Sequence, residues 1–318
     1  MNVTGTDTAC STRLVDYIPS TQLDREDSHM NRFVKSHGLG NDYIVLDRAD
    51  IAFQLTPEVI KLLCHRNYGI GSDGILLLVP SHKADFGLVI FNPDGSEAEK
   101  SGNGLRIFSK FLYEHGYTKE SSFRIETLGG IVTAELEIKN DRVLFVTVDM
   151  GQATFMSSRI PVEGEEREVV DEEIRVNGEI LKFTAVSVGN PHCVVFVQEL
   201  DEGYARKLGP IIETHHLFPK RTNVQFAKII SKERIDILIW ERGAGYTLAS
   251  GSSSCAVAAA CVKSGFTDRY VTVSMPGGEL QIEVREDWSS TMRGQVEEVS
   301  HGTISKDLIE RINKIGAI

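Results

Sequence analysis

The feature that most constrains this chain is that it repeats itself. The stretch "GNDYIVL" at 40–46 returns as "GNPHCVV" at 189–195, an offset of 149 residues. The same offset carries "LVIFNPDGSEAEKSGNG" (88–104) onto "ILIWERGAGYTLASGSS" (237–253), so Asn92 falls on Glu241 and Ser101 on Ser250. It also carries Gly116 onto Gly265, and at an offset of 148 "FRIETLGGIV" (123–132) falls on "VTVSMPGGEL" (271–280). Four markers in one order at a near-constant spacing identify two copies of one unit. In each copy, short β-branched runs alternate with a helical run that opens on a Gly-rich mouth, so the fold class is α+β. The expected division is an extension over 1–30, a first repeat over 31–152, a second over 153–300 and a C-terminal helix over 301–318 that can pack back on the first repeat. Two further helices are predicted around 56–65 and 304–314.

The two mouths, "SGNG" and "SGSSS", carry the chemistry. A Ser at such a place is ordinarily an N-cap, its hydroxyl bonding the free amides of the first turn. Related halves usually pack face to face, however, and pockets favour such interfaces. Two mouths on one cleft would present free amides and the positive ends of two helix dipoles, which suits a carboxylate. Side chains at the two mouths, Ser101 and Ser250, could then reach one bound molecule from opposite sides. Inversion at carbon needs that arrangement: one group removes a proton from one face while another returns one to the other.

Composition narrows the partners. A net charge of -11 offers no basic field to a nucleic acid. No apolar run reaches the roughly 20 residues that span a bilayer, and no secretion signal opens the chain, so the expected setting is the cytoplasm and the expected ligand a small molecule. The five cysteines, Cys10, Cys64, Cys193, Cys255 and Cys261, form no C-x-x-C pair or zinc spacing; neither disulfide nor metal is expected. Cys255 and Cys261 read as small buried hydrophobes in an Ala-rich helix. Residues 1–30 are polar and aperiodic and read as a loose extension, with the fold starting near Met30. "GIGSDG" (69–74) satisfies a dinucleotide pattern but runs into the strand-like "ILLLVP", so that reading fails.

Taken together, "HGLGNDYIVLD" (37–47), "YGIGSDGILLL" (68–78), "FNPDGSEAEKSGNGLR" (91–106), "VGNPHCVVF" (188–196), "FPKRTNVQFA" (218–227) and "WERGAGYTLASGSSSCA" (240–256) resemble the diaminopimelate epimerase family of cofactor-independent amino-acid epimerases and racemases. The resemblance covers nearly all of 33–318. It implies two barrel-like domains, each wrapped on a central helix, with one site between them, an amino-acid substrate, no cofactor, and room for a homodimer. It implies substrate contacts at Asn41, Asn92, Asn190, Asn223, Glu241 and Arg242, with Gly102, Asn103, Gly251 and Ser252 supplying the mouths. A turn role for the two "GN" asparagines and a surface ion pair for Glu241 and Arg242 are the plainer alternatives.

One departure stands out. The family's catalytic pair is two cysteines, and this chain has Ser101 and Ser250 in those places. A thiol near pKa about 8.5 becomes a usable thiolate at a helix N-terminus, whereas a hydroxyl is a far weaker acid. Three readings follow: an epimerase altered at both positions, a relative of the phenazine-biosynthesis type catalysing another isomerisation, or an amino-acid-binding relative without turnover. Tyr246 stands where diaminopimelate epimerases commonly have Glu, which keeps a racemase of another polar amino acid, such as histidine, beside diaminopimelate. His192 is read either as a base or as a structural imidazole.

Overall fold

The computed structural model describes residues 30–316. The first repeat runs β1 (Arg32–Gly38), β2 (Asn41–Asp47), α1 (Pro57–Cys64), β3 (Ile75–Val79), β4 (Phe86–Phe91), β5 (Glu97–Ala98), α2 (Gly102–Glu114), β6 (Ser122–Thr127), β7 (Gly130–Lys139) and β8 (Arg142–Gln152). The second runs β9 (Glu172–Val176), β10 (Glu179–Ser187), β11 (Pro191–Phe196), α3 (Glu202–Glu213), β12 (Asn223–Ser231), β13 (Arg234–Glu241), β14 (Gly245–Thr247), α4 (Gly251–Lys263), β15 (Tyr270–Met275), β16 (Gly278–Val284) and β17 (Ser289–Gly294). β18 (Glu297–Thr303) and α5 (Lys306–Gly316) close the chain.

The pairings repeat with the sequence. β2 lies parallel to β3 and β11 to β12, each across a helix, as a parallel crossover requires. β4 then pairs parallel with β6 and β13 with β15, again across a helix, and the hairpins β6–β7 and β15–β16 follow. α2 and α4 are the crossover helices enclosed by these sheets, which is the expected α+β fold of two homologous units. From Gly102 to Leu112 every residue of α2 is buried. The same stretch of α4 is buried apart from Ser252, with Ala256, Ala258, Ala259 and Ala260 keeping the helix thin enough to sit inside its sheet. Gly116 and Gly265 end these helices at φ +79 and +71, the left-handed turn that a side chain resists.

The halves join where β8 pairs antiparallel with β17, setting Met292 opposite Val148. At the other edge β18 pairs with β1, taking beside it the place that β9 takes beside β10. α5 follows it back: Ile304 and Ile312 share a core with Ile44, Ile60 and Leu63. Both predicted flanking helices are present as α1, capped by Thr56 accepting from the Val59 amide, and α5. α3 was not anticipated, because Gly203, Gly209 and Pro210 weaken its helical pattern; it is held by the Asp201 cap and by Gly209 lying against Trp240. Cys64, Cys193, Cys255 and Cys261 are free and buried, and burial pushes the thiols of Cys255 and Cys261 up to about 12. Cys10 and nearly all of the N-terminal extension lie outside the described residues. Among those residues no helix is long and apolar enough to cross a membrane.

Candidate active site

Both mouths form as the repeat demands, but their serines are used differently. Ser101 and Ser250 share an extended N-cap backbone, φ -136 and -147. Ser101 Oγ accepts from the Gly104 amide at 3.0 Å, a true cap, and shares a 3.1 Å hydrogen bond with the Tyr43 hydroxyl. Ser250 makes no side-chain cap; its hydroxyl donates to Glu241 Oε2 at 3.0 Å. Glycine at the start of each helix lets Met292 pack closely behind both mouths. A Cβ on Gly251 would stand 3.6 Å from Gly102 Cα and 2.8 Å from Met292 Sδ, and one on Gly102 would stand 2.5 Å from Met292 Cε. The two helices therefore begin against each other, with Met292 of the β8–β17 seam wedged behind both.

In front of them opens a cleft of about 1180 Å³. From the first repeat Asn41, Asn92, Ser101, Gly102 and Asn103 line it; from the second come Asn190, Glu241, Arg242, Ser250, Gly251 and Ser252. Asn223 is placed behind the wall instead. It is 5 % exposed, donates to Pro191 O at 2.8 Å and accepts from the Arg242 amide at 2.9 Å, clamping the ends of β11 and β13.

The first-repeat amides are strung on one chain of hydrogen bonds. Asn103 Nδ2 donates to Asn41 Oδ1 and Asn41 Nδ2 donates to Asp73 Oδ2, both at 3.1 Å. Asp73 is tied by Arg66 to Asp42. Burial would raise Asp42, but Arg66 and Lys35 outweigh it and hold the carboxyl at about 2. In the second repeat Gln225 Nε2 donates to His192 Nδ1 at 3.1 Å, so the imidazole carries its proton on Nε2 and donates to Asn190 Oδ1 at 2.9 Å. His192 is fully buried, and burial pushes it down to about 3. A neutral imidazole off the cleft wall orients Asn190; it does not serve as a base.

Glu241 sits at the end of β13, and burial raises its carboxyl above the usual range while the Ser250 hydroxyl works against that rise. The turn beyond it is pinned from behind by Glu213, which accepts from Trp240 Nε1 and the Gly243 amide, both at 2.8 Å, and pairs with Arg221. Tyr43, Asp73, Arg159 and Lys220 also line the cleft and were not picked out as site residues from sequence. "GNDY" contains Tyr43, yet its partnership with Ser101 crosses 58 positions and has no local signal. Tyr246 lines the cleft too, with the Arg206 guanidinium 4.1 Å over its ring.

The arrangement offers two hydroxyls at touching helix mouths, free amides, the half-buried Glu241 carboxyl with Asp73 beyond it, and a guanidinium. Solved structures share its fold: a hydroxyproline epimerase from Agrobacterium vitis with bound trans-4-hydroxy-L-proline (TM-score 0.65, 16 % identity, covering 86 % of this chain and 90 % of that one) and a methylitaconate-delta-isomerase (TM-score 0.61, 12 % identity, 86 % and 94 %). The profile of the family described as diaminopimelate epimerase matches residues 33–156 and 184–299, both repeats. Diaminopimelate epimerase 2 of Nostoc sp. is 51 % identical over 87 % of this chain and 96 % of its own length. The diaminopimelate epimerase of Pelotomaculum thermopropionicum is 46 % identical over 85 % and 97 %. With identity of that order sustained across nearly whole proteins, the chain belongs to the diaminopimelate epimerase family and is an isomerase of the amino-acid epimerase and racemase type.

Proposed function

We propose that the site works on the α-carbon of an amino acid by two-base chemistry without a cofactor, with positions 101 and 250 as the two proton-transfer positions and LL- to meso-diaminopimelate as the reaction. The observation that carries this is the meeting of the two repeat-related mouths on one cleft, with Ser101 and Ser250 both on its wall. On this reading the substrate's reacting carboxylate takes the amides after Ser101 and Ser250. Its ammonium faces Glu241, and Asn41, Asn92, Asn190 and Arg242 hold the remaining polar atoms, with Asn223 supporting Arg242. The names of the relatives support diaminopimelate. With hydroxyls in both positions the chain is a slow form of the enzyme, since an unassisted Ser is too weak an acid for the exchange. We place it in the cytoplasm, acting on a small molecule, with the boundaries expected from the repeat.

Tyr246 supports a second reading, a racemase of another polar amino acid such as histidine, because an aromatic ring on the cleft wall can meet an imidazole. The test installs Ser101→Cys and Ser250→Cys together and follows α-proton exchange in deuterated water with diaminopimelate and with histidine. Exchange with diaminopimelate supports the first reading, exchange with histidine alone the second, and exchange with neither overturns both.

A further inference from the structure

Behind the mouth of α2 lies a charge that the proposed reaction does not use. Arg106 is completely buried, yet among the described residues its guanidinium meets no carboxylate. Nη1 donates to Gly102 O at 3.3 Å and to Met292 Sδ at 3.2 Å, Nη2 donates to Asn103 Oδ1 at 3.0 Å, and Nε has no partner. Buried cations are ordinarily paired, because an isolated charge is expensive to desolvate. Among the described residues the ionisable group acting on Arg106 is Cys255, which burial keeps neutral.

Cys255 is also the residue that the 149-residue offset sets opposite Arg106. α4 therefore builds the same helix and the same mouth with a neutral thiol there, so the architecture of the unit does not call for a cation. Where the charge sits gives it a use. Its contacts are the first-turn carbonyl of α2, the Met292 wedged behind both mouths, and the side chain of Asn103. Because Nη2 donates, Asn103 must turn Oδ1 toward it and offer Nδ2 to Asn41, which in turn directs its own Nδ2 to Asp73. A cation at one end and a carboxylate at the other set the direction of two amides on the cleft wall.

We infer that Arg106 is a positioning residue: an uncompensated positive charge, sealed from water, that favours an anion at the paired mouths and fixes the orientation of Asn103 and Asn41. The inference rests on the reading of position 101 as a proton-transfer position. The groups facing that position are Tyr43 from β2, Asp73, Glu241 from β13, Asp42 from β2, which is itself paired with Arg66 and Lys35, and Lys100, which donates to Asp149 O. The three carboxylates disfavour an anion there, and the mouth of α2, Arg106 and Lys100 favour it.

The test needs no substrate. Ser101→Cys is made alone and combined with Arg106→Met or Arg106→Lys, and alkylation of the thiol introduced at position 101 by iodoacetamide is followed against pH by peptide mass spectrometry. With Arg106→Met the titration midpoint should rise by about one pH unit, a roughly tenfold loss of thiolate at neutral pH. With Arg106→Lys it should stay within about half a unit of the parent. Should Arg106→Met fail to fold, Arg106→Gln, which keeps a donor for Asn103 and removes the charge, takes its place with the same expected rise. A folded, charge-free variant whose midpoint stays put overturns the inference, since a merely structural role leaves the thiol unchanged. A shifted midpoint in a protein whose doubly Cys-substituted form exchanges no amino acid would keep Arg106 and discard the epimerase reading; the reverse pair of results would do the opposite.

Discussion

Replacing Asn223 by Leu separates a clamp from a ligand contact. The side chain is near-isosteric, so little cavity forms, and the cost comes from the two backbone groups it abandons. Pro191 O lies on a buried strand within the β11–β12 ladder and loses its side-chain donor, a loss of about 0.5–1.5 kcal/mol. The Arg242 amide lies in an exposed turn and can be rehydrated, so its loss is nearer the net value of a hydrogen bond, about 0.5–1.5 kcal/mol. Asn223→Leu should thus destabilise the protein by about 1–3 kcal/mol. For a chain of this size that lowers the melting temperature by roughly 2–5 °C. Urea denaturation should show a lower midpoint at unchanged slope, because the surface exposed on unfolding is the same. Calorimetric titration with meso-diaminopimelate should show weaker binding, since Arg242 is released with the turn. A variant as stable as the parent that has nevertheless lost the ligand would refute the clamp.

Two further outcomes follow from the contacts. Ser101→Ala should cost about 1 kcal/mol of stability by removing the bond to the Gly104 amide, and a variant as stable as the parent in denaturation curves would contradict that cap; Ser250→Ala breaks no cap but removes the donor to Glu241, and its cost should disappear when Glu241→Gln is made alongside it. His192 is depressed in the folded chain, so its neutral form contributes stability that is present above its ordinary value of about 6.5 and is lost as pH falls toward about 3. His192→Gln should flatten the stability curve between pH 6 and pH 4 by roughly 1 kcal/mol per pH unit, and an unchanged slope there would count against a buried neutral imidazole.

The sequence carried the architecture where local spacing recurs. The offset located both central helices, both Gly turns that end them and the alternation of strand-like runs with helices, because each copy repeats the same short-range pattern. It could not show that β18 leaves its neighbours in sequence to pair with β1, since that pairing joins opposite ends of the chain and has no local signature. α3 stayed hidden because tertiary contacts with Trp240 outweigh the poor propensity of Gly209 and Pro210. At the site, residue types were legible and partnerships were not. Ser101 with Tyr43, Ser250 with Glu241, and Arg106 with Asn103 and Met292 depend on how the two halves and their helices meet. Glu241 reaches Ser250 across the strand end, nine residues away, a partnership that no spacing along the helix indicates.

The central claim, that positions 101 and 250 hold the two proton-transfer groups of an amino-acid epimerase, is tested most directly by exchange at the α-carbon. The Ser101→Cys, Ser250→Cys protein is incubated in deuterated water with LL-diaminopimelate, and deuterium at the α-carbon and the appearance of the meso isomer are followed together. The predicted result is incorporation of deuterium with inversion in the doubly substituted protein, and a rate lower by several orders of magnitude in the chain as it stands, because a thiol is a far stronger acid than a hydroxyl. Equal rates in both proteins would move the chemistry away from these positions, and no exchange in the doubly substituted protein with any amino acid would contradict the account.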